Sequence, residues 1–146
     1  LRPITAAEAV IPYLKRDSRV LEVASCAAFQ PLQGMNVYAA TKAFLLHYTR
    51  AIRRELATRG IKVTAVCPWW VKTEFMAVAR DTANPTAVRH TPFAMRPEAV
   101  AAWSLTMAQC DRPVVTCGPI PALMRLGRKV LPTAAVMEIW EKVRKI

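Results

Sequence analysis

Tyr38-Ala-Ala-Thr-Lys42 sets a phenol and an ammonium four residues apart, which places them one turn apart on a single helix face. A free phenol ionises near pH 10 and is a poor base at neutrality, but a fixed cation beside it stabilises the phenolate and makes tyrosine a workable acid and base. The same spacing also arises where a core tyrosine happens to precede a solvated lysine, so the surroundings decide. Two features give the pair company. Ser25 stands 13 residues before Tyr38, and Cys67-Pro68-Trp69-Trp70-Val71-Lys72-Thr73 follows it. The four cysteines at 26, 67, 110 and 117 form neither a CxxC nor a metal-like cluster with His47 or His90, so no metal site is expected. They read as buried free thiols in a reducing, cytoplasmic setting.

These residues need elements to hold them in place. Thr5-Ala-Ala-Glu8 has capping-box spacing and predicts a helix near 5–16, kinked at Pro12. Arg19 to Ser25 is a short apolar strand, expected to be buried on both faces except at Glu22. From Asn36, read as a cap, Val37, Thr41, Phe44/Leu45, Tyr48, Ile52 and Leu56 recur at helical spacing and mark one face of a long helix that ends at Arg59-Gly60. Lys62 to Cys67 is β-branched and stopped by Pro68, giving a second strand. Strand, helix, strand makes a βαβ unit, with parallel strands and a right-handed crossover. Both Ser25 and the segment from Pro68 then fall at carboxyl ends of parallel strands, where open α/β sheets hold ligands. Residues 73–95 read as a flap with one short helix near 74–80. Pro97 opens a further helix, 113–118 is a third strand, and 121–131 and 133–145 are basic amphipathic helices split by Pro132.

The 146 residues suit one domain, and 53% apolar against 21% charged residues excludes a disordered tail. A net charge of +11 fits a nucleic-acid or membrane-surface binder, yet the basic residues are dispersed and no aromatic platform interleaves them. No nucleic-acid partner is expected. The longest apolar stretches fall well short of a membrane span, and no secretory signal is visible. The last 26 residues, with six basic side chains and two acidic, could lie on a membrane surface, but a cap over a substrate pocket is the favoured reading.

The serine at a strand end, YxxxK thirteen residues on, and a PGxVxT-like turn after the next strand together resemble the short-chain dehydrogenase/reductase family. The resemblance covers essentially the whole chain. It implies the C-terminal part of a Rossmann-like doubly wound parallel α/β sheet, three strands with flanking helices. Its activity would be hydride transfer between NAD or NADP, with a lean to NADP, and an alcohol or ketone. It implies Ser25, Tyr38 and Lys42 as the catalytic residues. Tyr38 moves the proton, and Ser25 hydrogen-bonds the substrate oxygen. Lys42 lowers the pKa of Tyr38 and holds the nicotinamide ribose. Pro68, Trp69, Val71 and Thr73 would line the nicotinamide, and Cys26, Phe29 and Trp70 would join Ser25 around the substrate. A homodimer or homotetramer is implied for the intact protein.

Two departures accompany the resemblance. Trp69 stands where the family has glycine, serving either as an aromatic wall or as core packing. The family's TGxxxGxG turn is absent from the four glycines at 34, 60, 118 and 127, so residues 1–146 are expected to be a partial domain whose dinucleotide-binding N-terminal half lies elsewhere. Such a piece alone is expected to be inactive and, with an open strand edge, prone to associate. The alternative is a non-catalytic interaction module pairing through the helices near 5–16 and 36–59. Substrate, cofactor choice, reaction direction and oligomer size stay open at this level.

Overall fold

A computed structural model describes residues 2–74, 91 and 93–145 of the chain. Three parallel strands, β1 (Arg19–Val23), β2 (Lys62–Pro68) and β3 (Val114–Cys117), form one sheet in the order β1-β2-β3. The register pairs Arg19 with Lys62 through Val23 with Val66, then Ala65 with Val114 through Pro68 with Cys117. Among the described residues five α-helices accompany them: α1 (Arg2–Val10), α2 (Asn36–Leu56), α3 (Pro97–Gln109), α4 (Pro119–Val130) and α5 (Thr133–Lys145). The expected strand–helix–strand unit is present as β1, α2 and β2, with its strands parallel.

The centre of the sheet explains why β2 is apolar throughout. Val63, Ala65 and Cys67 point toward α2, while Val66 points the other way to meet Val115, Cys117 and the α3 residues Val100 and Met107. A strand covered on both sides has no place for polar alternation. After Lys62 at its half-buried start, Thr64 is the polar exception, and its hydroxyl is satisfied by donating to the Arg112 carbonyl at 2.9 Å.

Several boundaries and faces differ from the sequence expectations. The first helix starts at Arg2, so Thr5 lies inside it rather than capping it, and Pro12 sits in a single 3-10 turn, Ile11–Tyr13, that ends the segment. Asn36 is the first helical residue of α2, and its side chain accepts from the Val37 amide. The buried stripe of α2 runs through Ala39, Leu45, Leu46, Thr49, Ile52 and Leu56, leaving Val37, Thr41 and Phe44 exposed. On β1 the expectation is inverted. Glu22 is 8% exposed and Val23 is 59% exposed, because Glu22 shares the side of Val20 and Ala24, which α2 covers. Gly60 adopts φ +70° as expected, and Arg16 crowds the place where a side chain would go. The proposed short helix near 74–80 lies almost wholly outside the described residues.

One polar tie fastens the layers. Arg53 of α2 donates to the Val63 carbonyl at 2.7 Å and meets the Asp111 carboxylate at 2.9 Å and the Asp111 carbonyl at 3.1 Å. Its guanidinium, hydrogen-bonding first of all, holds the Asp111 carboxyl below its ordinary pKa. Arg53→Ala is expected to cost about 1–2 kcal/mol, a range reduced for the partial exposure of the pair. Equilibrium denaturation checks this, and an unshifted midpoint would show that the tie holds nothing.

Candidate active site

β1 and β2 both end at the same side of the sheet, and the chain leaves each by a tight segment. After β1, Ser25 is extended (φ −173°) and its oxygen accepts the Ala27 amide at 3.1 Å, capping the 3-10 turn Cys26–Phe29. That bond uses the oxygen as acceptor, and the hydroxyl also hydrogen-bonds with Tyr38. After β2, residues from Trp69 turn across the sheet end. There Val71 forms a parallel bridge with Met95, with Lys72 N–H donating to the Met95 carbonyl at 2.9 Å and Met95 N–H donating to the Trp70 carbonyl at 2.8 Å. The two described ends of the flap segment are thereby tied at its base. Between these segments α2 brings in Tyr38 and Lys42 from its first turns.

A cavity of about 570 Å³ opens among these pieces, within the size range of small-molecule sites. Ser25, Cys26, Tyr38, Lys42, Pro68, Trp69, Trp70, Val71 and Thr73 all line it. Phe29 does not. It faces the other way and packs on the cluster of Ala24, Ala28, Leu45 and Leu46, because the 3-10 turn rotates it under α2. Leu32, Met35, Met124 and Trp140 complete an apolar wall; none was among the site residues read from the sequence, although the last two come from the C-terminal segment expected to cap the pocket. The Val136/Trp140 pair, both buried on one face of α5, was the available signal for the last of these. Trp140 Nε1 donates to the Gln33 carbonyl at 3.4 Å, so α5 closes over the loop leading into α2. Trp69 and Trp70 meet edge to face at 5.9 Å and pack on the same cluster as Trp140. They serve as wall and packing at once.

Burial governs the ionisable groups of the cavity. It pushes the Tyr38 phenol above its ordinary pKa; hydrogen bonding with Ser25 works against that, and the Cys26 thiol adds to the rise. The ammonium of Lys42 stands on one side of the Tyr38 ring. It sits 5.8 Å from the centre of the Tyr38 ring and donates to the Val23 carbonyl at 2.9 Å, so its charge is directed along the edge of β1. Burial lowers the pKa of Lys42, against the nearby Cys67 and Glu22. Glu22 in turn is raised by burial and eased by Lys42, so each partly offsets the desolvation of the other. The thiols of Cys26 and Cys67 are pushed up to about 12, chiefly by burial. Among the described residues no cluster of His, Cys, Asp or Glu could hold a metal ion, and no helix is long and apolar enough to cross a membrane.

Known proteins resemble the chain in sequence and in fold. The chain is 32% identical over 111 residues to a 3-oxoacyl-[acyl-carrier-protein] reductase FabG of Thermotoga maritima, an alignment covering 73% of this chain and 45% of that protein. A short chain dehydrogenase from Burkholderia cenocepacia in complex with NADP superimposes with a TM-score of 0.68 at 21% identity, over 85% of this chain and 49% of that one. A short-chain dehydrogenase from Sphingobium yanoikuyae in complex with NADPH does so with a TM-score of 0.59 at 25% identity, over 87% and 43%. This chain therefore spans under half the length of each of these relatives. The family model for short chain dehydrogenases matches residues 3–84, the stretch that carries Ser25, Tyr38, Lys42 and the turn after β2, and on that match the chain belongs to the short-chain dehydrogenase family.

Proposed function

We propose that this chain carries the catalytic and substrate-binding part of an NAD(P)-dependent oxidoreductase that interconverts an apolar ketone and its alcohol. The observation that carries the reading is the meeting of Ser25, Tyr38 and Lys42 on one cavity wall beyond the ends of β1 and β2. Neighbours described in complex with NADP and NADPH support the cofactor class and the lean to NADP. The residues present fit the nicotinamide end of such a cofactor: Lys42 offers an ammonium to ribose hydroxyls, and Val71 and Thr73 lie on the opposite segment with backbone and hydroxyl for a carboxamide. The adenosine and diphosphate would be held by residues outside these 146, because the sequence contains no TGxxxGxG turn.

A nicotinamide held between Lys42 and the Val71–Thr73 segment would supply the hydride chemistry. Everything else belongs to side chains of this chain. Ser25 donates its hydroxyl hydrogen to the carbonyl oxygen as negative charge grows there. Tyr38, kept protonated by its burial, gives its phenol proton to that oxygen, and the alcohol forms. The phenolate left behind is next to Lys42 and Ser25, which stabilise it until a proton returns from solvent. In the opposite direction the same groups run in reverse. Trp69, Trp70, Trp140 and Met124 exclude water and favour a substrate with apolar bulk beside the carbonyl. A homodimer or homotetramer would use the outer side of α2, where Val37 and Phe44 are exposed.

The test is the full-length protein with NADPH and a series of aromatic and alicyclic ketones. Deuteride from 4-deuterated NADPH is expected on the carbinol carbon of the product. Failure to consume NADPH or NADH with any member of the series, in a protein that binds the cofactor, would overturn the reading.

A further inference from the structure

Helix α5 reaches the cavity with one side chain. Val136 and Trp140, four residues apart, are its buried pair, while Glu138, Ile139 and Lys142 are exposed. Of the two, only Trp140 lines the cavity, and among the described residues it is the one lining residue that follows Met124 in the chain. Its indole packs on Ala27, Leu32 and Ala39, the cluster against which Met35, Tyr38, Trp69 and Trp70 also rest. The ring therefore shares its neighbours with the tyrosine at the centre of the site. Its single polar atom, Nε1, donates to the Gln33 carbonyl at 3.4 Å and ties the ring by one edge to the loop 30–35.

The neighbouring parts of the wall are fixed by their backbones. Ser25 to Ala27 belong to a turn capped by the serine oxygen, and Trp70 and Val71 are bound to Met95 through a backbone hydrogen bond and a parallel bridge. Those segments recede from a larger molecule only by breaking bonds. The part supplied by α5 is a side chain alone, so its size decides how far a molecule extends in that direction. We propose that Trp140 sets the size limit of the substrate, stopping the carbonyl's larger substituent where it runs from Tyr38 toward the loop 30–35, so that short aryl ketones are taken and longer ones refused. The proposal rests on the oxidoreductase reading for the class of ligand and adds the side chain that discriminates within it. Shortened to alanine, residue 140 leaves room that the bonded segments on either side do not fill, and that room passes to the ligand. A pocket that admits or refuses one methylene discriminates by about tenfold or more.

The experiment compares the full-length parent with Trp140→Ala and Trp140→Phe on a series of phenyl alkyl ketones from acetophenone to hexanophenone. Calorimetry with NADP+ present gives binding without turnover, and steady-state rates with NADPH give kcat/KM. In Trp140→Ala the preference for hexanophenone over acetophenone is expected to rise at least about tenfold in Kd and in kcat/KM alike, with Trp140→Phe between alanine and the parent. A tryptophan that only packs would, on removal, weaken every ketone in proportion, and an unchanged ratio of Kd values overturns the proposal. Absence of ketone binding to the parent overturns it as well. If Trp140→Ala does not fold, Trp140→Phe, which keeps a ring on the Ala27, Leu32 and Ala39 cluster, carries the comparison. Ketones that bind with the shifted preference and are never reduced would keep the role of Trp140 and overturn the oxidoreductase reading instead.

Discussion

Tyr38→Phe in the full-length protein lowers turnover by about 10³-fold or more while leaving the affinity for NADPH within a few-fold of the parent. The expectation follows from what the substitution removes. The ring remains to pack beside Trp69 and Trp70, so the cavity keeps its shape. Only the hydroxyl goes, and with it both the proton for the carbonyl oxygen and the hydrogen-bond partner of Ser25. Water is a poor substitute in a cavity walled by apolar side chains. Fluorescence titration of NADPH beside steady-state rates separates the two quantities, and an enzyme that keeps its turnover with phenylalanine at 38 would end the assignment of Tyr38 as acid and base.

The second large effect belongs to Lys42, and it should appear in both quantities at once. Lys42→Ala removes the group offered to the ribose hydroxyls and the cation that stabilises the phenolate, so KM for the cofactor is expected to rise about tenfold and kcat to fall about 10²-fold. It also leaves Glu22 buried without the charge that now eases its ionisation, so the Glu22 carboxyl should be driven further above its ordinary range. A pairing with Glu22→Gln distinguishes the contributions: if the loss in Lys42→Ala came from the stranded carboxylate, Glu22→Gln in the same chain would restore much of it. If the double variant is as impaired as Lys42→Ala, the ribose and phenolate roles stand. Normal cofactor affinity in Lys42→Ala would refute the ribose contact.

The order of elements was legible because each has a local chemical marker. Pro68 halts a β-branched run, Gly60 takes the left-handed turn after Arg59, and Pro97 starts a helix at its first position. The buried face of α2 was legible over its later turns, where Leu45, Ile52 and Leu56 are buried, but not over its first turns, where Val37, Thr41 and Phe44 keep the same period and yet are exposed because only docking on β2 selects the face. Glu22 failed for a related reason. A carboxylate in a strand signals solvent, yet the parity of β1 assigns it the side of Ala24, and the cost is softened by a lysine twenty residues away in sequence. The members of the site that come from one stretch, Ser25, Tyr38, Lys42 and the Pro68 turn, were visible as spacing. Trp140 and Met124 were not, since they arrive from the far end of the chain and only the closure of α5 onto Gln33 brings them in.

The thiol of Cys26, next in sequence to Ser25 and on the same cavity wall, gives the site a chemical inertness. With its pKa pushed up to about 12 by burial, the thiol stays protonated at neutral pH, and it is the thiolate that attacks electrophiles and peroxides. Cys67, at the end of β2, is shielded to the same degree. Oxidants and alkylating agents therefore meet the exposed Cys110 first, at the end of α3 and away from the cavity lining, and a carbonyl substrate that is itself electrophilic can sit against Cys26 without being captured by it.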